Sequence, residues 1–423
     1  MEDSKDDLRS PDEAAPLWQK SDKSWTRNDV MLLTLNILVK FGDAVEIYLP
    51  GVITQLVSCQ MDLTSLEEGF LAVTLYVTMG ATIFVTAFLT DRFGRRRILL
   101  FSLYVSILVT ILCAVVPNYY TLLLSRALLG FCIGLNSSTV NVFYAEQVST
   151  KQVYEFGTLA SDIAFALGGG WVAVLGYFLL DTSGWRIFVV STSMPVFLPP
   201  IIILHIYLTK EVPSGGETQV NDRGVIEVTG QTCRVLKASA MKLINTLQGY
   251  GTIMLLPSLI RADNEKSIMG DTDDCASAVQ GNQLLLLALV SGGTNVIGRS
   301  FGYVLQNKAR FKVLQPLLAS IIAICYILLI FESGLPTFVT ALGVAKLVYA
   351  MMVIKINLIT FDKAFLGTEN FALNSGKVYT SGMLGAIIGN TLAAFFSPKI
   401  TVIAAGILSC FQVLVVCSVH EVD

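Results

Sequence analysis

The chain has 423 residues, of which 53% are apolar (AVILMFWYC) and only 14% charged, with 33 glycines besides and a mean hydropathy of +0.65. A soluble domain carries about 25% charged residues because its surface must stay hydrated; this chain cannot cover such a surface and reads as an integral membrane protein. A net charge of −3 gives no reason for a nucleic-acid partner. Eight cysteines are scattered, and Cys113, Cys132, Cys325, Cys410 and Cys417 fall in apolar runs, where a thiol acts as a small hydrophobe. His205 and His420 are the two histidines and neither has a ligand neighbour, so no metal and no cofactor is expected.

Residues 1–29 form a polar tail without the apolar stretch of a signal peptide. A bilayer core needs about 20 apolar residues per helix, and such runs occur at 30–56, 69–90, 98–116, 120–145, 157–180, 185–208, 238–260, 282–304, 314–331, 337–360, 376–395 and 400–419. The long polar stretch 209–237 divides them, which predicts an all-helical membrane protein of twelve spans: a six-helix bundle over 30–208, a central loop over 209–237, a second bundle over 238–419 and a short tail, 420–423. Loops on the side of the N-terminus hold 18 Lys and Arg, those opposite hold 3. Basic loops stay inside, so both termini are expected in the cytoplasm.

One outer loop, 261–281, is acidic and carries Cys275; a bridge to Cys59 in another outer loop is one alternative and two free thiols the other. The sequon Asn136-Ser137-Ser138 lies inside span four and reads as a polar helix face, not a glycan site.

Asp91-Arg92-Phe93-Gly94-Arg95-Arg96-Arg97 joins spans two and three. It serves as a positive-inside stop signal. Its order also makes a clamp: an acid at a helix end, a glycine for the turn, then arginines opening the next helix. This resembles the D-R-x-G-R-[RK] loop of the major facilitator superfamily, at the place where that family carries it. Arg126-x-x-x-Gly130-x-x-x-Gly134 in span four, Tyr144-Ala145-Glu146 at its end, and Gly184-Trp185-Arg186 at the start of span six are similar to the family's further motifs. Asp43-Ala44-Val45-Glu46 is similar to the branch of synaptic-vesicle-protein-related and organic-ion transporters. The resemblance implies two pseudo-symmetric six-helix bundles, alternating access, and a cytoplasmic gate built on Asp91, Arg92, Gly94, Arg95 and Glu146.

The second half departs from that pattern. Gln306-Asn307-Lys308-Ala309-Arg310-Phe311-Lys312 has lost the loop's aspartate and glycine, Lys346 and Asp362 replace arginine and glutamate, and Lys210-Glu211-Val212-Pro213-Ser214 is a poor copy of the branch's P-E-S-P/A-R.

Charges inside spans cost at least about 2.5–3.5 kcal/mol each on insertion scales, so they tend to face a cavity. Lys40, Asp43 and Glu46 share one stripe of span one. Either Lys40 and Asp43 form a structural ion pair, or Asp43 or Glu46 carries a proton. Arg126, Arg299 and Lys346 are further cavity candidates, with Gln248 and Tyr250, where Gln248-Gly249-Tyr250-Gly251 is expected to break span seven. Lys242, Lys355 and Lys377 are expected to snorkel, and Asp162 is either a cavity acid or a member of the gate with Glu146 and Arg92, the second reading being favoured. Gly168-Gly169-Gly170-Trp171 in span five reads equally as close packing or as a cavity wall.

These residues predict secondary active transport of a small organic solute by a monomer, with an organic anion carried alongside a proton favoured over a cation. The alternative is a transporter-like protein that binds or regulates and moves nothing. No phosphate loop points to ATP, and no grouped nucleophile and base points to an enzyme.

Overall fold

The computed structural model describes residues 25–206, 232–251, 288–308, 311–331, 335–360 and 371–417. The described residues form twelve helices and no strand. They are α1 (Arg27–Met61), α2 (Ser65–Phe93), α3 (Arg95–Val115) and α4 (Tyr119–Gln147). The run Lys151–Ile206 is interrupted at Gly184 (φ 73, ψ 166), which gives α5 (Gln152–Leu180) and α6 (Gly184–Ile206). The second half has α7 (232–251), a π-helical turn Ala288–Gly293 leading into α8 (Thr294–Lys308), then α9 (Phe311–Phe331), α10 (Leu335–Thr360), α11 (Phe371–Phe395) and α12 (Pro398–Cys417).

Eight of the described helices are long and apolar enough to cross a membrane. α1 is not among them, because Lys40, Asp43 and Glu46 fall within two turns. Several helices overrun the apolar runs that announce them, since polar caps add a turn outside the hydrocarbon. Thr26 and Asp29 close a capping box on α1, Thr64 and Glu67 close another on α2, and Asn118 caps α4.

Asp29 has a second partner. Its carboxylate accepts hydrogen bonds from the Ser149 backbone N–H (3.1 Å) and hydroxyl (2.8 Å) between α4 and α5. Burial pushes its pKa up, yet the bonds from Thr26 and Ser149 outweigh that and hold it below the ordinary 3.8. A depressed carboxyl pKa stabilises the fold above its unfolded value and loses that contribution as pH falls through the folded one. Asp29→Ala removes charge-assisted hydrogen bonds and should therefore cost about 1.5–3 kcal/mol, read as a lower thermal midpoint in detergent at pH 7. The gap to wild type should close as the pH falls below the carboxyl range; a gap that persists there contradicts the assignment.

Helix contacts explain the small residues. Along α2, Thr74, Thr78, Thr82, Thr86 and Thr90 each donate to the carbonyl four residues back, which satisfies the hydroxyls inside the helix. The α4 glycines lie on this stripe: a Cβ on Gly130 would stand 2.3 Å from the Leu75 carbonyl oxygen, and one on Gly134 2.7 Å from that of Met79. In the second half, Gly298 and Gly302 of α8 meet the Leu347 and Met351 carbonyls of α10 in the same manner. Likewise Gly168 of α5 packs on Ala44 of α1, and Gly385 and Gly389 of α11 pack on Leu243 and Leu247 of α7. Without a hydrophobic drive between helices in lipid, this close approach is what binds them. The repeated scheme makes two pseudo-symmetric bundles, and they meet where α2 packs on α11 and α5 on α8.

Gly94 has φ 83 and ψ 141 between α2 and α3, a conformation that favours glycine. Arg96 then ties α3 to α6, donating from Nη2 to the Leu204 carbonyl at 2.8 Å. At the opposite face Trp185 donates to Gln60 (2.7 Å) and Arg186 to the Val116 carbonyl (3.1 Å).

Candidate functional site

Polar and aromatic groups of both bundles meet at the seam between them. In the first bundle Glu46 and Arg126 are fully buried and form an ion pair at 3.4 Å, with Thr110 of α3 donating to the other carboxylate oxygen at 3.2 Å. Arg126 Nη2 has no partner among the described residues. One turn nearer the basic face, Asp43 accepts from Asn136 at 3.5 Å, and its Oδ2 is unpartnered among the described residues. Ser102 of α3 donates in turn to Asn136. Asn136 of the sequon is thus fully buried in this polar chain.

Lys40 and Asp43 do not form the ion pair that their spacing allows. Lys40 instead donates to the Ser137 hydroxyl (2.8 Å) and carbonyl (3.2 Å) on α4. The i, i+3 spacing sets two side chains on one face, but α4 offers Lys40 nearer oxygens. Tyr379 of α11 approaches Ser137 and Asp43 from the second bundle.

The largest difference concerns Asp162. It does not serve the motif gate: its carboxylate pairs with Arg299 across the α5–α8 seam at 3.0 Å and accepts from Asn357 of α10 at 2.8 Å. Lys242 does not snorkel either, because it donates to Asn357. Lys355 and Lys377 stand half-buried and exposed.

Lys346 is buried, 3% exposed, and makes no hydrogen bond or ion pair among the described residues. It lies eleven residues before Asn357, close to three full turns, so both sit on one face of α10. Tyr250 packs edge-on to Tyr76 (5.8 Å) and Phe165 (6.4 Å) of the first bundle, and Phe165 packs on Tyr48 (6.0 Å). Arg299 stands 6.0 Å from the Phe165 ring.

Gln248 looks elsewhere. It donates to Ser409 of α12 at 2.7 Å and lines a small cavity inside the second bundle with Tyr326 and Thr401. The helix does not break within Gln248–Gly251 as expected but continues to Gly251. Glycines 168 and 169 are close packing against Ala44 and Tyr48.

Of the gate motif, Gly94 and Arg92 are described, with Arg92 over the Phe93 ring at 5.5 Å, and Arg95 is half-buried in the first turn of α3. The Asp91 and Glu146 side chains lie outside the described residues, as do Cys59, Cys275 and the stretch 209–231.

Sequence reasoning missed Asn357 and the tyrosines other than Tyr250, and read Asn136 and Ser137 only as a polar helix face. Asn357 had a signal, its three-turn offset from Lys346. Tyr48, Tyr76 and Tyr379 had none, since aromatic residues are ordinary in membrane helices.

The profile of the Major Facilitator Superfamily matches residues 37–390. The putative transporter svop-1 of Caenorhabditis elegans is 29% identical over 201 residues, 45% of this chain and 37% of that protein. The synaptic vesicle 2-related protein of Xenopus laevis is 29% identical over 171 residues, 40% of this chain and 31% of its own length. The matched stretches thus span about a third of these relatives. Among solved structures, a D-xylose–proton symporter aligns with a TM-score of 0.67 at 17% identity, covering 93% of this chain and 98% of that one, a likeness of fold. With two pseudo-symmetric six-helix bundles and a family profile that covers most of its length, the chain belongs to the Major Facilitator Superfamily, a family of multi-pass membrane carriers rather than enzymes.

Proposed function

We propose that the protein is a monomeric secondary carrier that moves a small organic anion, together with a proton, by alternating access between its bundles. The observation that carries this reading is Lys346, buried on the same face of α10 as Asn357 and without a partner among the described residues. An unpaired base in a membrane interior is costly, and a bound anion supplies the missing charge. Lys242 and Lys40 add positive charge within electrostatic range of one acid, Asp162. The proton rests on Asp43 or Glu46: the first lies near Tyr379 of the second bundle, the second one turn away against Arg126. Asp91, Arg92, Gly94, Arg95 and Glu146 latch the basic face, which faces the cytoplasm with both termini. The vesicle-protein relatives favour a vesicle membrane over the plasma membrane.

The test is flux. Purified protein in liposomes, given a mixture of carboxylates, sulfonates and quaternary amines under an inward proton gradient, should accumulate anions, read by mass spectrometry. Lys346→Gln should reduce that uptake about tenfold or more, the scale of a lost charge-assisted contact. Uptake of amines that survives Lys346→Gln would reverse the charge assignment. No flux of any solute would favour the non-transporting alternative, which the eroded loop at 306–312 motivates.

Topology has its own check. Epitope tags at residues 1 and 423 should be hidden in intact cells, while a tag beside Gly270 should be stained on the outer surface, or on the lumenal surface of isolated vesicles. Outside staining of either terminus would overturn the orientation.

A further inference from the structure

Asp162 is the acid of a network that joins four helices from both bundles. Its Oδ1 stands 3.0 Å from Arg299 of α8, and its Oδ2 accepts from Asn357 of α10, which in turn accepts from Lys242 of α7. Arg299 also donates to the backbone carbonyl of Asp162, so the guanidinium grips residue 162 twice. Lys40 of α1 adds a third base within electrostatic range. Three bases therefore surround one carboxylate, and without it they would repel one another across the seam.

The seam has a pivot beside this cluster. Eight residues along α5 from Asp162 lies Gly170, and a Cβ on Gly292 of the π turn would stand 3.4 Å from the Gly170 nitrogen and 3.4 Å from the Ala166 carbonyl oxygen. The two backbones nearly touch there. Arg299 is seven residues along α8 from Gly292, about 10 Å at the rise of a helix. The antiparallel helices thus cross at the glycines and are pinned by the ion pair on the basic side of the crossing. Two rods held at a pivot open on whichever side loses its pin.

We infer that Asp162 is a tethered counter-anion that holds the basic side of the path shut, and that the network Asp162–Arg299–Asn357–Lys242 is a gate distinct from the loop motif at 91–97. Its consequence for transport rests on the carrier reading above, whereas the lock is read on solute-free protein. Failure of one is therefore distinguishable from failure of the other.

The experiment places spin labels at Gln152 of α5 and Leu305 of α8, both exposed, and measures their distance distribution in lipid nanodiscs. Asp162→Asn and Arg299→Gln should each raise the ratio of the long to the short distance about tenfold. The charge-reversed pair Asp162→Arg with Arg299→Asp should return it toward wild type. In Asp162→Ala, formate at tens of millimolar should restore the short distance, and should fail to do so when Arg299→Gln is added. Unchanged distances in Asp162→Asn would overturn the lock. Formate acting equally with and without Arg299 would overturn the role of the carboxylate.

Discussion

Replacing Gly130 with valine should prevent the first bundle from assembling, with loss of monodisperse protein on detergent extraction. The new Cβ alone would stand 2.2 Å from Thr78 Oγ1 and 2.3 Å from the Leu75 carbonyl oxygen. The second of these is backbone on a helix pinned along its length by its threonines and by Gly134, so it cannot turn aside. Relief requires α4 to move off α2, which loses the packing that binds helices in lipid. Overpacking in cores costs about 1–3 kcal/mol where side chains can adjust; a clash with backbone should exceed that. Gly170→Ala is the control, because nothing lies within 4 Å of its Cβ. A Gly130→Val protein that elutes and melts like wild type would contradict the described α2–α4 contact.

Glu46→Gln should abolish uptake driven by a pH gradient while exchange of labelled for unlabelled anion continues. Glu46 is the acid whose charge a buried partner balances, 3.4 Å from Arg126. Protonation breaks that pair and leaves Arg126 uncompensated, which is destabilising by about 3–5 kcal/mol when a buried pair loses one member. That is large enough to tie a proton to the position of α1 against α4. Glutamine keeps the shape and the Thr110 contact but holds the site in its neutral form. If pH-driven uptake survives in Glu46→Gln and vanishes in Asp43→Asn, the proton belongs to Asp43.

The prediction of twelve spans in two halves rests on chain-local physics. An apolar run long enough to cross a bilayer has few alternatives to a helix there, so α3, α5, α6, α9 and α12 are legible from composition alone. The loop 91–97 is legible because Gly94 must take a positive φ between two helices. Arg126, Gly130 and Gly134 are legible because their spacing sets them on one face of α4.

Partnership was not legible. Lys40 and Asp43 are neighbours along α1, yet Lys40 bonds to Ser137, 97 residues away, because α4 presents two oxygens that no local rule foretells. Asp162 looked like a member of the motif gate by its place near the end of α5; it meets Arg299, 137 positions on, only because the glycines of α5 and the π turn bring the two helices together. By itself the sequence determined which segments form apolar helices and which of them carry charge, since hydropathy and helical periodicity act within a segment. Only the tertiary structure decided which charge faces which, because a buried ion pair is set by the register and rotation of two packed helices, and those follow from contacts summed over the whole bundle.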